Sequence, residues 1–286
     1  MNQQILETQL QDLALGGLRY FESVGSTNDE AANWIKADCP DLALVITNEQ
    51  NAGRGRGGRK WFSPAGSALA FSLVLRAEDQ INLLLKYQNT ARLNGLGALA
   101  VCGALQAKFG LPARIKWPND VLIAGQKVAG VLAEAHWLGS ELTAVVLGIG
   151  VNVSPASVPA DDWDTLNPHP FPATCVETAL GRPVDRWELL HALLAELLKW
   201  RKRLSEQAFL QAWEANLALR EQWVQVIDPG MVSSTKTGRI LALGEDGSLR
   251  LQSESGEVMD LRAGEIHPSD PPLGGFRLRP VDRPEK

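Results

Sequence analysis

Cysteine is scarce in this chain: Cys39, Cys102 and Cys175 are odd in number, far apart and in no C-x-x-C pair. That excludes a disulfide framework and a cysteine-based zinc site, and predicts reduced thiols packed in the interior. Histidine is nearly as sparse. His136, His169, His191 and His267 show no metal-ligand spacing, so no transition-metal centre is assigned and any metal ligands stay unknown. No uncharged apolar run approaches the ~18 residues of a membrane span. The opening MNQQILETQL lacks the charged-then-apolar pattern of a secretory signal, so a soluble, cytoplasmic protein is expected. Nor is there an excess of basic residues. A formal net charge of −5 gives the surface as a whole no electrostatic reason to coat nucleic acid or an anionic membrane.

What is present is an ordinary globular composition, 45% hydrophobic and 21% charged over 286 residues, long enough for one large domain and a small one. GGLRYFESV, DLALVITN and SALAFSLVLR read as strands, and STNDEAANWIKA has helical spacing with Thr27 and Glu30 placed as a capping box. Residues 81–109 read as a long helix or a helix pair that ends at Gly110. ARIKW, VLIA, KVAGVLAEAHW and ELTAVVLGIGVNV are strands divided by short turns, which predicts a largely antiparallel or mixed sheet. Residues 154–184, rich in Pro and Asp, read as a surface loop. DRWELLHALLAELLKWRKRL and FLQAWEANLAL are amphipathic helices. After residue 218 short alternating strands with Asp246-Gly247 and Ser255-Gly256 turns predict a small β-barrel or sandwich. The expectation is an α+β domain over 1–217, a small all-β domain over 218–268 and a flexible tail over 269–286.

Against the negative total charge, residues 53–60 read GRGRGGRK, four glycines and four basic side chains in eight positions. The G-x-G-x-x-G match through Gly53, Gly55 and Gly58 is weak, because Trp61, Phe62 and Pro64 follow where a dinucleotide site needs a helix start. No Gly-Lys-Ser/Thr closes it as a Walker A loop. A short nucleic-acid segment and a merely solvated loop remain open. The third reading is a cradle whose glycines bring backbone N–H donors close to a phosphate or carboxylate that the arginines then grip. Two lysines, Lys116 and Lys127, sit inside neighbouring apolar strands, which is expensive unless they face a partner, a pocket or water. GIGVNV adds Gly148 and Gly150, where a ligand or second backbone can approach closely, and Asn152.

Taken in order, GSTNDEA, AGRGRGGRKWFSP, KWPNDVLI, GQKVAGVLAE and GIGVNV closely resemble the biotin–protein ligases, or biotin–[acetyl-CoA-carboxylase] ligases, over residues 20–155. GRILALGEDGSLRLQSESGEVMDLRAGEI resembles that family's SH3-like barrel. The resemblance implies the class II synthetase-like biotin/lipoate ligase fold. It also implies ATP-dependent conversion of biotin to biotinyl-5′-AMP with Mg²⁺, then transfer to a lysine of a biotin carboxyl carrier protein. By the same resemblance Ser26, Thr27, Asn28 and Gln50 lie around the biotin ring, Arg54, Gly55 and Arg56 close over it, and Trp61 covers it while Gly130 leaves it room. Arg56 and Arg59 meet phosphate, and Lys127 bridges the biotin carboxylate and the α-phosphate, which makes Lys127 and Arg56 the candidate catalytic residues. Lys116, Asn119, Asp120 and Asn152 fall on the adenylate and metal side. Alternatives are a ligase for lipoate or another carboxylic acid, or a non-catalytic biotin or nucleic-acid binding module. The motif GSTN begins at Gly25, so no N-terminal winged-helix domain and no operator DNA binding are expected; the chain is expected to be a monomer or homodimer. Gly57 stands where many relatives carry another arginine, which leaves open how tightly the adenylate is held.

Overall fold

The structure, a computed structural model, describes residues 2–77, 90–159, 170–227 and 235–269. Seven strands, β1 (Gly17–Phe21), β2 (Ala43–Thr47), β3 (Ala68–Arg76), β4 (Ala113–Lys116), β5 (Asp120–Ile123), β6 (Gln126–Leu138) and β7 (Glu141–Asn152), form one sheet in the order β1-β2-β3-β7-β6-β5-β4. Only the edge pair β1/β2 is parallel, and the helix between them supplies the crossover that a parallel pair requires. The helices are α1 (Gln3–Gln9), α2 (Thr27–Lys36), α3 (Thr90–Phe109), α4 (Val176–Leu180), α5 (Arg186–Arg201) and α6 (Gln207–Ala215).

The apolar composition of the middle strands follows from cover on both faces. From one face Leu69, Phe71, Leu73 and Leu75 of β3 and Val145, Leu147, Ile149 and Val151 of β7 enter the main core with α3 and α5. Leu189, Leu190, Leu193, Leu194 and Leu197 of α5 are buried there, each worth roughly 1.5–3 kcal/mol of removal from water. α3 is apolar all round because it is enclosed; a Cβ on Gly95 would meet Trp213 of α6 at 2.7 Å and one on Gly97 would meet Val131 of β6 at 2.7 Å. The expected helix over 81–109 is one helix across its described part, stopped by Gly110 at φ 66, and its first residues lie outside the described ones. On the opposite face, Ala144 and Val146 pack with Ala31, Trp34 and Ile35 of α2 in a second, smaller cluster.

The remaining strands, β8 (Trp223–Ile227), β9 (Thr235–Leu243), β10 (Leu249–Gln252), β11 (Val258–Leu261) and β12 (Glu265–Pro268), form an antiparallel sheet in the order β11-β10-β9-β8-β12. The expected SH3-like barrel is therefore corrected to an open sheet among the described residues: β12 crosses over to pair with β8 instead of closing on β11. Val224, Val226, Ile240, Leu249, Leu251 and Ile266 join the main core, so the small sheet buries its apolar face against the rest of the chain. Its Gly244–Ser248 turn is plugged in by hydrogen bonds. Trp117 Nε1 donates to Gly247 O at 2.9 Å, and Arg92 donates to Leu204 O at 2.9 Å and to Glu245 O at 2.5 Å.

Two local expectations are revised. The segment 154–184 is more than a surface loop: it holds α4, and Ser157, Thr174, Cys175 and Val176 are buried. Lys127 N donates to Pro172 O at 2.7 Å and Thr174 N donates to Lys127 O at 2.8 Å, which stitches this segment to the start of β6. Residues 160–169 lie outside the described ones, as does the expected tail beyond Ser269. Thr27 is not a capping residue. Ser26 holds the cap position without a side-chain bond, and Gln50 Oε1 accepts Thr27 N–H at 2.9 Å in its place. All three cysteines are free and buried. No helix among the described residues is long and apolar enough to cross a membrane.

Candidate active site

Pairing register places one row of residues straight across the large sheet: Thr47, Ala70, Gly150, Gly130, Asp120 and Lys116. Small residues in the middle of this row, and Gly148 in the next, lower the floor beside α2. The glycines are there for close approach. A Cβ on Gly150 would lie 2.3 Å from the Trp61 indole, one on Gly148 2.2 Å from Asn28 Oδ1, and one on Gly130 3.2 Å from Trp61 and 3.4 Å from Lys127 Nζ.

Over this floor the basic segment folds as a small hairpin. Trp61 N donates to Gly53 O at 2.8 Å, Arg54 and Lys60 form a bridge, and Gly55 N donates to Arg59 O at 2.7 Å. Gly57 (φ 65) and Gly58 (φ 79) form the tip, a left-handed conformation that glycine adopts without steric cost. Between hairpin and sheet lies a cavity of about 440 Å³, within the range of small-molecule sites. Every candidate residue named from the sequence lines it: Ser26, Thr27, Asn28, Gln50, Arg54, Gly55, Arg56, Arg59, Trp61, Lys116, Asn119, Asp120, Lys127, Gly130 and Asn152.

The cavity has two chemically distinct ends. At one, Gln50 Oε1 accepts from both the backbone N–H and, at 3.2 Å, the hydroxyl of Thr27. Ser72 Oγ lies 2.8 Å from Thr27 Oγ1 and donates to Asn28 Oδ1 at 2.6 Å. This is a neutral set of donors and acceptors with its orientation locked by neighbours. At the other end Asp120 is held between two ammonium groups, Lys127 Nζ at 2.7 Å and Lys116 Nζ at 3.0 Å. Arg56 donates to Asn119 Oδ1 at 3.1 Å, Asn119 donates to Val131 O at 2.8 Å, and Arg59 donates to Glu265. Lys116 Nζ also lies 4.0 Å from Glu265 Oε1 and 5.1 Å from the centre of the Phe171 ring. Asn152 Nδ2 donates to Thr174 O at 3.0 Å and so anchors the wall beside Lys127.

Six cationic side chains (Arg54, Arg56, Arg59, Lys60, Lys116 and Lys127) line this cavity against two carboxylates, Asp120 and Glu265, in a chain whose net charge is −5. Burial, reinforced by the neighbouring charge of Lys116 and Arg59 and opposed by Asp120, lowers the Lys127 ammonium below its ordinary 10.5. Burial is likewise what lowers the Arg56 guanidinium, against the pull of Asp120 and Glu265. Among the described residues Arg59 Nε and Trp61 Nε1 are buried donors without an acceptor, which suits a ligand bearing acceptor oxygens. Arg54 stands apart from the other arginines: both its amino groups grip Asp29, at 2.7 and 2.8 Å, on the cavity rim. Among the described residues no group of three or more His, Cys, Asp or Glu side chains is arranged to hold a metal ion, and Asp120 is already committed to the two lysines.

A model of the Biotin/lipoate A/B protein ligase family matches residues 20–152, the stretch that builds the cavity floor and its hairpin. The biotin–[acetyl-CoA-carboxylase] ligase of Paracoccus denitrificans is 35% identical over 233 residues, which cover 81% of this chain and 92% of that protein. The chain belongs to the biotin/lipoate protein ligase family. A second family member, the biotin–[acetyl-CoA-carboxylase] ligase of Mycobacterium tuberculosis, is 32% identical over 209 residues, 68% of this chain and 71% of its own length. Among solved family structures, the biotin protein ligase of Aquifex aeolicus in complex with biotin and ATP superposes with a TM-score of 0.71 at 27% identity, covering 87% of this chain and 97% of that one.

Some lining residues were not singled out from the sequence. Glu265 and Gly264 come from the small sheet, and Phe171, Pro172 and Ala173 from the segment read as a surface loop. Ser72 does not line the cavity but bonds Thr27 and Asn28 behind it, and a single serine within the apolar strand ALAFSLVLR is its only signal. Glu265 carries no local signal at all, because its partners Arg59 and Lys116 are remote in sequence.

Proposed function

We propose that the chain is an ATP-dependent biotin–protein ligase that forms biotinyl-5′-AMP and passes the biotinyl group to a lysine of a carrier protein. The observation that carries this reading is the two-ended cavity: a locked neutral hydrogen-bonding end and a strongly cationic end, joined by a glycine floor. A ureido ring offers N–H donors and a carbonyl acceptor to Ser26, Thr27, Asn28 and Gln50. A dithiolane ring offers neither and makes no use of the remaining hydrogen-bonding capacity of this set, which favours biotin over lipoate.

In the first step a biotin carboxylate oxygen attacks the α-phosphorus of ATP and pyrophosphate leaves. The reacting anions repel each other by ~1 kcal/mol per charge pair at 4 Å in water and by ~4 in a partly dry site. Lys127, released from Asp120, is placed to neutralise both, and Arg56 and Arg59 to meet the phosphates. Lys116, Asn119, Asp120 and Asn152 line the adenylate side, and Trp61 covers the ring and its chain over Gly130. In the second step a carrier lysine amine attacks the acyl carbon, AMP leaves, and the amine loses its proton. Among the described residues there is no carboxylate cage for Mg²⁺, and the ion would enter with the phosphates of ATP, which would supply most of its ligands. Residues 1–217 form the catalytic unit, and the small sheet of 218–268 completes its wall through Glu265. The carrier is a biotin carboxyl carrier protein or domain.

Incubation with α-labelled ATP, biotin and lipoate tests the reading. A labelled adenylate that appears with biotin and not with lipoate is the expected result. An adenylate only with lipoate, or none with any acid, would overturn it.

A further inference from the structure

Glu134 lies on the inner face of β6, opposite Val146, and is not itself part of the cavity lining. Its Oε2 accepts from Asn28 Nδ2 at 2.5 Å and lies 3.5 Å from Arg54 Nη2. Arg54 in turn grips Asp29, the residue that follows Asn28 on the first turn of α2. One carboxylate thus touches both the polar end of the cavity and the base of the basic hairpin.

The amide of Asn28 is symmetric in shape, and only its partners decide which of its ends is oxygen. Ser72 can donate or accept and so tolerates either orientation. An ionised carboxylate only accepts, so Glu134 draws the NH₂ to itself and turns Oδ1 over Gly148, on the cavity floor. The site then presents an acceptor, which is matched to a ring N–H. We propose that Glu134 is a positioning residue for biotin: it fixes the Asn28 amide with its oxygen toward the ring and braces Arg54, coupling ring recognition to the seating of the hairpin. This rests on the biotin-ligase reading.

The test compares wild type with Glu134→Ala and the isosteric Glu134→Gln, using biotin and a ring-N-methylated biotin that lacks the donor. Glu134→Ala is expected to raise KM for biotin about ten-fold while kcat and KM for ATP stay within about two-fold, with Glu134→Gln in between. With the methylated analogue the three proteins should converge. A merely structural role would not distinguish the two ligands. Unchanged KM for biotin, an equal rise in KM for ATP, or the same penalty with both ligands would overturn the proposal. Biotin Kd, read from tryptophan fluorescence without ATP, separates the two claims. Wild type that binds biotin but makes no adenylate overturns the ligase reading, and the positioning role then stands or falls on the Kd shift alone. Wild type that binds no biotin overturns both.

Discussion

The two faces of β7 are built from alternate residues of one strand and do opposite work. Val145, Leu147, Ile149 and Val151 fill the main core, whereas Ala144 and Val146 pack under α2 and are followed on that face by Gly148, Gly150 and Asn152. Stability comes from bulk on the first face, and the cavity comes from the withdrawal of bulk on the second. The strand stays rigid where it lacks side chains because β3 and β6 pair with it along its length and the core grips it from behind. A ligand floor made this way is set by backbone, which moves less than side chains.

The sharpest break of that comparison acts on the cavity side alone. Lys127→Ala should lower the rate of adenylate formation by about 10²–10³-fold, the scale for losing one preorganised charge partner, with the circular dichroism spectrum unchanged. Near-normal turnover would remove Lys127 from the mechanism. Next come paired substitutions on the two faces. Gly150→Val puts carbon into the space of the Trp61 indole and should abolish biotin binding, read by calorimetry, at a stability cost of roughly 1–3 kcal/mol. Leu147→Ala, on the other face, should cost about 2–5 kcal/mol in chemical denaturation and leave biotin affinity of the folded protein unaltered. If both variants lost stability and binding in equal measure, the division between faces would be wrong.

Smaller effects should follow at the hairpin and in pH. Arg56→Gly removes the guanidinium beside Asn119 and should let the adenylate escape about ten-fold faster, seen as labelling of bystander lysines in a protein mixture. The alkaline limb of kcat/KM should fall below pH 10.5, because burial lowers the Lys127 ammonium and the proposed reaction needs its charge. The sign for stability is opposite. A depressed lysine costs stability while its unfolded counterpart is charged, so the Lys127 contribution improves as pH rises through its folded value. A limb at or above the ordinary lysine value would contradict the burial seen here.

Much of this was legible in the sequence because local pattern encodes it. The strands around Lys127, the glycines of GIGVNV and the hairpin each carry a short-range signal, and the motifs stand in the order that the sheet later brings together. What escaped depends on topology. The Arg59–Glu265 and Asn28–Glu134 contacts join segments far apart in the chain, and no periodicity announces them. Thr27 and Glu30 imitate a capping box, yet Gln50 outcompetes that local arrangement from the segment that follows β2. Proline and aspartate made 154–184 look solvent-bound, although Thr174 and Pro172 bond the backbone of Lys127. Alternation in the last strands announced a sheet but carried no information on closure, because closure depends on where β12 crosses.

The Arg59–Glu265 contact has a bearing on how the protein is made. A ribosome-bound chain that has emerged far enough to fold Lys127 into its sheet still lacks the carboxylate that seats Arg59, because Glu265 lies on the last described strand. In the proposed reaction the wall that seats Arg59 is therefore among the last parts of the site to be synthesised, and a polypeptide stopped before Glu265 would carry the basic hairpin without that carboxylate.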